Sequence, residues 1–452
     1  MKRVVAASAI LIIAIVLVTV LLVNQVSFES TQTVYVGVTY CGDSVAEGKL
    51  LIDKVKHYTN LFVLQSGSLQ RDLPSVDELG NYAVSAGLYF LPYFGYYIAE
   101  PFSAWLETAK QKWGTHLLGV YYGDEPGGKM LDDYVEFKNA TTGESIMKTR
   151  YGDIVLEKSN GVVIHYEIDG AIHLSLPSSN QNSNSTETGV YATFYPDGTI
   201  QIDEPYTSTD LPSYANYEDL MSLRPFKDVN EAADRFTTRD QYNIEYLSNL
   251  TTVFTSDYGL YWFDYLSGYD VILEHVGWNH TVAQHIALTR GAAKLQNKDW
   301  GIVITWKYSV PPYLDTGQAI LTQLRTAYEC GAKYFVLFNY YEGNGTPYGI
   351  VKDEHFKALE SFWNDVVKNP NVVHGSVKAD SVLVLPENYG WGMRWATDKI
   401  WGIFKADNQT QQLWDLTQSI LKDHDLKTDI VYEDADLPLA PEYQHIYYWN
   451  QK

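Results

Sequence analysis

"LLGVYYGDEPGG", residues 117–128, is the stretch of sequence that decides the fold. It is an apolar run that ends in two carboxylates, Asp124 and Glu125, followed by a proline and two glycines. Such runs, when they alternate with helical stretches, are typical of parallel strands buried on both faces. Acids at the end of such a strand lie at the carboxyl edge of the sheet, where α/β proteins carry their functional residues. The stretch therefore predicts a buried strand with a candidate site at its end.

Seven further apolar runs repeat this pattern, and amphipathic helical stretches separate them up to about residue 370. The runs begin near residues 34, 61, 88, 252, 269, 300 and 333. Eight strand–helix units are the number in a (β/α)8 TIM barrel, the fold class that we predict. An open doubly wound sheet is the alternative, but no glycine-rich phosphate fingerprint follows the first strand. The fifth run, "TVFTSDYGLYW", covers residues 252–262 and should bring Tyr261, Trp262 and Asp264 to its carboxyl end. Only "FDYLSG" separates it from the sixth run, so either that crossover is minimal or the predicted strand boundary is wrong.

Two regions do not fit the barrel repeat. About 100 residues follow the fourth strand, far more than the ~2–6 residues of an ordinary βα loop. They alternate in polarity and contain turn signals such as Pro196-Asp197-Gly198, which predicts an antiparallel β-insertion over residues 131–225. Residues 376–452 read as a small C-terminal α/β unit with parallel strands that packs on the barrel, which itself spans residues 28–375.

The N-terminus carries a targeting signal. Lys2 and Arg3 precede an apolar run over residues 4–23, about the length that spans a bilayer. The exit "LLVNQVSFES" lacks the small-residue pattern of a cleavage site. We therefore expect residues 1–27 to form an uncleaved transmembrane helix, which makes this a single-pass cell-membrane protein with the bulk of the chain extracellular. Six N-x-S/T sequons are consistent with export and predict glycosylation at Asn139, Asn184, Asn249, Asn279, Asn344 and Asn408.

The composition of the chain narrows the class of molecule that it can bind. The net charge of −22 argues against nucleic acid, because phosphate binding needs a basic face. Aromatic residues are abundant, with 36 Tyr and 12 Trp, and many stand at the predicted strand ends, where packing alone does not require them. Cys41 and Cys330 are predicted at opposite faces of the barrel, too far apart for a disulfide, so both should be free thiols.

Aromatic rings around a few carboxylates suit sugars, whose C–H faces pack on Tyr and Trp while their hydroxyls bond to acids, amides and lysines. Cleavage of a glycosidic bond then needs one protonated and one ionised carboxyl group. The predicted substrate-binding residues are Tyr40, Tyr93, Tyr122, Trp262, Asp264, Trp278, Trp306, Lys307, Asn339, Tyr341 and Glu342. Each of the three tryptophans is equally well explained by packing within the barrel.

The stretch around Glu125 resembles strand four of (β/α)8-barrel glycoside hydrolases, where an acid/base Glu stands at the strand end before Pro. Asp124-Glu125-Pro126 fits the form of this motif in which Asp replaces the more frequent Asn. The trailing α/β unit is similar to the glutamine-amidotransferase-like domain that follows the barrel in some beta-galactosidase relatives. The resemblance covers residues 34 to about 370, is mainly architectural, and implies a superfamily rather than one family.

The chain departs from that pattern at strand seven, which in those enzymes ends in the nucleophilic Glu and here ends "ITWKYSVPPY" without an acid. Glu274 is the first choice for the second carboxylate, because it puts a charge inside the sixth strand, with Asp264 and Glu342 in reserve. A salt bridge within the barrel would explain Glu274 as well. His275 should face the opposite way from Glu274. Asp124 either takes part in catalysis or holds the turn.

The resulting hypothesis is a membrane-anchored extracellular glycoside hydrolase with Glu125, Glu274 and Asp124 as catalytic candidates. The alternative is a non-catalytic glycan-binding or structural cell-envelope protein on a degenerate barrel, with the β-insertion contacting an envelope partner. No zinc spacing, H-E-x-x-H, G-x-S-x-G or P-loop motif is present, so the sequence predicts neither a cofactor nor a metal. The expected partners are a glycan and, through the N-terminal helix, a membrane.

Overall fold

Eight parallel strands close into a barrel in the computed structural model, which describes residues 33–96, 102–177, 190–278, 280–340, 346 and 348–451. In chain order the strands are β1 (Tyr35–Tyr40), β2 (Leu61–Leu64), β3 (Tyr89–Gly95), β4 (Val120–Tyr122), β5 (Val135–Lys138), β6 (Ser145–Lys148), β7 (Ile154–Glu157), β8 (Val163–Tyr166), β9 (Ile172–Ser175), β10 (Tyr191–Phe194), β11 (Ile200–Ile202), β12 (Val253–Asp257), β13 (Val271–Val276), β14 (Asp299–Ile304), β15 (Tyr334–Leu337), β16 (Ser381–Leu385), β17 (Thr428–Tyr432) and β18 (His445–Tyr448).

Helices connect the strands and cover the barrel. They are α1 (Val45–Val55), α2 (Leu73–Ser85), α3 (Phe102–Trp113), α4 (Pro126–Asp132), α5 (Tyr217–Ser222), α6 (Val229–Arg239), α7 (Gln241–Ser248), α8 (Tyr261–Leu266), α9 (Val282–Leu295), α10 (Gly317–Glu329), α11 (Asp353–Trp363) and α12 (Asn408–His424). Side-chain caps start several of them: Ser44, Asp228, Thr316 and Asp407 each accept a hydrogen bond from a backbone N–H of the first turn.

The barrel follows the predicted order of units. Around its circumference the strands run β1, β2, β3, β4, β12, β13, β14 and β15, and every neighbouring pair is parallel. Each of the eight apolar runs contains one of these strands, so the predicted (β/α)8 barrel is confirmed. The strands read as continuous apolar runs because one face packs inside the barrel and the other under the helices.

Inward-facing side chains fill the barrel. The packed set is Tyr121 of β4, Phe254 of β12, Leu273 of β13 and their neighbours Leu61, Val63, Leu91, Val271, Val303, Tyr334 and Val336. Because side chains alternate along a strand, the next inward positions toward the carboxyl end are Ser256 and His275. The apolar interior therefore gives way to polar groups at the carboxyl face.

The fifth barrel strand ends earlier than the sequence suggested. β12 stops at Asp257, and Leu260 adopts a left-handed conformation (φ 57°) that turns the chain into α8. Tyr261, Trp262 and Asp264, which we expected at a strand end, therefore lie on this helix. The short gap before the sixth strand is therefore explained by the wrong predicted end of the fifth strand: the crossover runs from Asp257 to Val271 and contains the six-residue helix α8.

The β-insertion is one antiparallel sheet of seven strands, β5 to β11, in sequential order. It does not leave directly from the loop of Glu125, because α4 comes first. The buried ammonium of Lys148 on β6 joins the sheet to the end of that helix: Nζ donates to the carbonyls of Leu131 at 3.2 Å and Asp133 at 3.1 Å. Burial lowers the pKa of Lys148 to about 8.

The C-terminal unit has a parallel three-stranded sheet, ordered β17-β16-β18. It packs on α9 of the barrel through a buried ion pair in which Nε of Arg290 donates to Asp429 at 2.7 Å. Tyr443 donates to the other carboxylate oxygen of Asp429 at 2.7 Å. These bonds satisfy the buried charge of Asp429, as a buried ion pair requires.

The predicted anchor, residues 1–27, lies outside the described residues. Within the described ranges, no helix combines the length and apolarity needed to cross a bilayer. Both cysteines are free, as expected. Asn139, Asn249 and Asn408 are exposed, whereas Asn184, Asn279 and Asn344 lie outside the described residues, and glycosylation at all six stays a prediction.

Candidate active site

The turn after β4 holds Asp124 and Glu125 in a constrained geometry. Glu125 has a left-handed backbone (φ 53°), which is uncommon for a residue with a side chain. Its N–H donates to the carbonyl of Ser256 on β12 at 2.8 Å, which ties the turn to the neighbouring strand. Strain of this kind persists where the surroundings fix it, and it is often found at functional sites.

Asp257 fixes the start of α4 from the same strand. The N–H groups of Gly127 and Gly128 donate to its carboxylate at 2.6 and 2.7 Å, and those of Tyr258 and Gly259 at 2.7 and 3.1 Å. A Cβ atom at Gly128 would overlap the ring of Tyr258, so the two glycines allow this close approach. Burial raises the pKa of Asp257 to about 7, although the four N–H donors act in the opposite direction.

Asp124 is the acceptor at the centre of a hydrogen-bonded group in the barrel mouth. Its Oδ1 receives bonds from the hydroxyl of Tyr121 at 2.6 Å and from Ser256 at 3.0 Å. The side-chain amide of Gln65 adds a longer bond at 3.4 Å. Among the described residues, all of these donors reach Oδ1 and none reaches Oδ2.

Ser256 connects this group to His275. The Oγ of Ser256 lies 2.8 Å from Nε2 of His275, and Nδ1 of the same ring lies 3.3 Å from Oε1 of Glu125. Burial lowers the pKa of His275 to about 4, so the ring is neutral at neutral pH. With the proton on Nε2, the ring donates to Ser256 and Nδ1 is the acceptor that faces Glu125.

The surroundings of Glu125 favour its protonated form. Burial, followed by the charges of Asp124 and Asp257, raises the pKa of Glu125 to about 8. The contact between Glu125 and His275 therefore joins two neutral groups and is not an ion pair. The Glu125 side chain is still 29% exposed, so it can give its proton to a ligand. A protonated carboxyl beside a second carboxylate is an arrangement suited to general acid catalysis.

Aromatic side chains border the mouth on the side of β13 to β15. Trp278 is 41% exposed and stacks on Trp306, with ring centroids 6.2 Å apart and planes inclined by 13°. Trp306 contacts the exposed ring of Tyr340 at 4.8 Å. The N–H of Trp278 donates to the carbonyl of Trp306 at 2.6 Å, which fixes the two tryptophans relative to each other.

The predicted pairing of Glu125 with Glu274 is wrong. Glu274 is fully buried, and it faces the helix layer because the preceding and following residues of β13 face the barrel interior. Burial raises the pKa of Glu274 well above its usual range, with the charge of Arg290 on α9 acting against it. His275 does face the opposite way, as expected, and it is His275 that reaches Glu125.

Several predicted substrate-binding residues are also sealed by helices. Tyr40 is buried, and its hydroxyl donates to the carbonyl of Ser44 at 2.6 Å. Burial and the charge of Asp257 raise the pKa of Asp264 well above its usual range. The predicted substrate contacts are therefore wrong for four residues that are buried on the outer side of the barrel. They are Tyr40, Tyr122, Trp262 and Asp264.

The other predicted residues have different positions. Tyr93 is partly buried and packs edge-on against Tyr121 at 5.0 Å. Asn339 is buried, and Lys307 pairs with Asp315 at 2.6 Å beside a cleft of about 260 Å³. Tyr341 and Glu342 lie outside the described residues. In the part of the chain that the structure describes, no three His, Cys, Asp or Glu side chains form a metal-binding group.

Sequence reasoning missed the residues that support the two carboxylates: Gln65, Tyr121, Ser256 and Asp257. A signal for two of them was present, since "TSDYG" puts a polar pair directly before a glycine turn. The predicted fifth strand continued to Trp262, so Ser256 and Asp257 were placed inside the strand and not at its end, where the structure has them.

The sequence matches no model of a known protein family and no curated protein. Similar solved structures include a GH5_18 protein of Streptomyces cattleya in complex with GlcNAc, with a TM-score of 0.45 and 11% identity over 93% of this chain and 99% of that chain. Alpha-L-fucosidase isoenzyme 2 of Paenibacillus thiaminolyticus has a TM-score of 0.41 and 12% identity over 92% of this chain and 60% of that chain. An O-GlcNAc hydrolase of Thermobaculum terrenum has a TM-score of 0.30 and 12% identity over 75% of this chain and 61% of that chain.

This chain therefore spans about three fifths of the length of the last two proteins. All three TM-scores are below 0.5, so these likenesses carry no argument about this chain, and the barrel is established by its own strand topology. The barrel expected from the sequence is confirmed, and the site is defined by its own geometry. The chain is a (β/α)8-barrel protein with two adjacent carboxyl groups of different environment at the carboxyl face of its barrel.

Proposed function

We propose that this protein is a glycoside hydrolase in which Glu125 is the general acid and Asp124 is the second carboxyl group of the site. The observation that carries the proposal is the difference between these neighbours. Glu125 is held as a neutral acid with a pKa of about 8, whereas Oδ1 of Asp124 accepts bonds from Tyr121, Ser256 and Gln65. A carboxyl group whose pKa is raised by its environment is the usual candidate for the general acid in such a pair.

The chemistry of glycoside cleavage fits this pair. Glu125 donates its proton to the glycosidic oxygen as the bond to the anomeric carbon breaks, and Asp124 stabilises the positive charge that develops on the sugar. A water molecule then adds to the anomeric carbon, and the proton that it releases restores the acid form of Glu125. His275 holds the acid from the other side, with Nδ1 3.3 Å from Oε1. The exposed ring of Trp278 and its neighbour Trp306 offer apolar faces for a sugar bound beside the carboxylates.

A hydrolysis screen tests the proposal. Wild-type protein is incubated with a panel of aryl glycosides and oligosaccharides at pH 6, in parallel with Glu125→Gln and Asp124→Asn. We expect each variant to lose about 10²–10⁴-fold in kcat, the usual contribution of general acid–base catalysis. Glu274→Gln is the matched control, because it makes the same change from Glu to Gln at a residue that is buried between the barrel and the helix layer.

Unchanged turnover in Glu125→Gln would remove Glu125 from catalysis. Binding of a glycan without hydrolysis by the wild type would support the non-catalytic alternative. A loss in Glu274→Gln as large as that in Glu125→Gln would point to general destabilisation, and thermal unfolding of both variants separates that outcome from a chemical effect.

The location at the cell membrane is a separate proposal that rests on the apolar run at residues 4–23 and the basic pair before it. Expression with and without residues 1–27, followed by membrane fractionation and protease treatment of intact cells, tests it. We expect the full chain to sediment with membranes and to be cleaved from outside. Recovery of the full chain in the soluble fraction would contradict the anchor.

A further inference from the structure

The loop after β16 reaches the helix that starts at the candidate acid. Arg394 in this loop is almost completely buried, with 4% of its side chain exposed. Its guanidinium forms an ion pair with Asp132, the last residue of α4, and Nη2 donates to the Asp132 carboxylate at 3.0 Å. Nε and Nη2 also donate to Asp398 at 2.8 and 2.7 Å. The C-terminal unit is therefore fixed to α4, which begins directly after Glu125.

The same arginine also approaches the site itself. Its guanidinium lies 5.7 Å from the ring centre of Tyr258, whose hydroxyl donates to Asp132 at 3.1 Å. The Tyr258 ring is 6.0 Å from the ring of His275, which contacts Glu125. Arg394 is therefore connected to Glu125, the proposed acid, through the rings of Tyr258 and His275.

Trp395, the next residue, is 49% exposed although it lies in this tightly fixed loop. Its ring contacts the Arg394 guanidinium at 4.9 Å. The backbone before it is held as well: Gln284 of α9 donates to the carbonyl of Met393, and Gln418 donates to Gln284 at 2.9 Å. The half-exposed indole therefore presents an apolar face to solvent on a fixed support.

We propose that Trp395 is the platform of a further sugar-binding subsite, which the C-terminal unit adds to the barrel mouth. The occupant is one pyranose ring of an oligosaccharide whose scissile bond lies at Glu125, with the C–H face of the ring on the indole. The substrate class rests on the proposed function, but the position of the platform rests on the contacts of Arg394. Because the ion pairs fix the loop before ligand arrives, little ordering is needed on binding.

Binding to a catalytically disabled protein tests this subsite without requiring hydrolysis. Oligosaccharides of two to six residues are titrated into Glu125→Gln by calorimetry, and the titration is repeated with Trp395→Ala added. We expect the added change to weaken binding of the longer oligosaccharides about tenfold, as for a buried aromatic contact at a binding site. Trp395→Phe should keep most of the affinity, because a planar apolar face remains.

Tyr242→Ala is the matched control. This tyrosine is 83% exposed on α7 and takes part in none of the contacts described for Arg394 and Trp395, so its removal should leave the affinity unchanged. Thermal unfolding of each variant checks that the fold is kept. Equal affinities with and without Trp395, or no binding of any oligosaccharide in the panel, would overturn the proposal.

Kinetics separates this proposal from the proposed function. In the active protein, Trp395→Ala should raise KM for a long substrate about tenfold and leave kcat/KM for a single-sugar aryl glycoside within about twofold, because the short substrate does not reach the platform. An equal loss on both substrates would contradict the subsite. If the wild type hydrolyses nothing but oligosaccharide binding depends on Trp395, the hydrolase proposal fails and the subsite stands.

Discussion

Nδ1 of His275 lies 3.3 Å from Oε1 of Glu125, and both groups are neutral at neutral pH. Burial keeps the pKa of His275 low and, together with the charge of Asp124, keeps the pKa of Glu125 high. The imidazole therefore lies against the acid without taking its proton. Since Ser256 bonds to both His275 and Asp124, the acid and its partner carboxylate are supported by one connected set of side chains.

The pH dependence of hydrolysis should report the pKa of Glu125. A general acid works only when protonated, so kcat/KM should fall above about pH 8, with a tenfold loss per further pH unit. In Asp124→Asn the pKa of Glu125 should be lower, because one of the charges that raise it is gone. A ¹³C NMR titration of labelled glutamate in both proteins measures this directly. An unchanged Glu125 midpoint in Asp124→Asn would contradict the proposed coupling.

His275→Phe should lower kcat more than it changes KM. Phenylalanine fills a similar volume but provides no acceptor for the Glu125 proton and no partner for Ser256. Misplacement of a catalytic group by ~1 Å can cost about 10²-fold, so we expect a loss of about 10–100-fold in kcat. Steady-state kinetics on one substrate gives both parameters. Equal activity of the variant and wild type would show that His275 does not position Glu125.

Buried acids should make the protein less stable as the pH rises. A carboxyl whose pKa is higher in the folded than in the unfolded chain binds its proton more tightly when folded. Its contribution is therefore complete below the unfolded pKa of ~4 and is lost as the pH rises through the folded value. The pKa values of Asp257 and Glu125 are raised to about 7 and about 8, and those of Asp264 and Glu274 are raised further, by burial first.

Glu274→Gln isolates one of these groups. The amide stays neutral, so the free energy of unfolding of the variant should fall less steeply between pH 5 and pH 8, by about 1.4 kcal/mol per pH unit at most. Denaturant unfolding at several pH values measures the slope, and at pH 8 the variant should be the more stable protein. Parallel curves for the variant and wild type would contradict the raised pKa of Glu274.

The ion pairs of Arg394 should hold the C-terminal loop in place. In Arg394→Met the nearly buried carboxylate of Asp398 loses its partner, and breaking a buried pair in this way costs about 3–5 kcal/mol of the free energy of unfolding. The double variant Arg394→Met with Asp398→Asn should recover part of that loss, because no unpaired buried charge remains. A double-mutant cycle measured by urea unfolding gives the coupling. Additive losses would contradict it.

The barrel and the position of Asp124 and Glu125 could be predicted from the sequence. Apolar runs at regular spacing indicate parallel strands because such strands are buried on both faces, and a strand that ends in acids carries them to the carboxyl face. The opposed directions of Glu274 and His275 also followed from the alternation of side chains along a strand.

The alternation of side chains along a strand does not say which of two neighbouring residues faces the barrel interior. Only the tertiary structure decided this. The apolar residues of a parallel strand are alike on both faces, so Glu274 and His275 were equally suited to the mouth until the packing of Leu273 fixed the register. Contacts between distant parts of the chain also have no local signal. Ser256 meets Asp124 from another strand, and Arg394 meets Asp132 from the C-terminal unit, because closure of the barrel brings together residues that are far apart in the sequence.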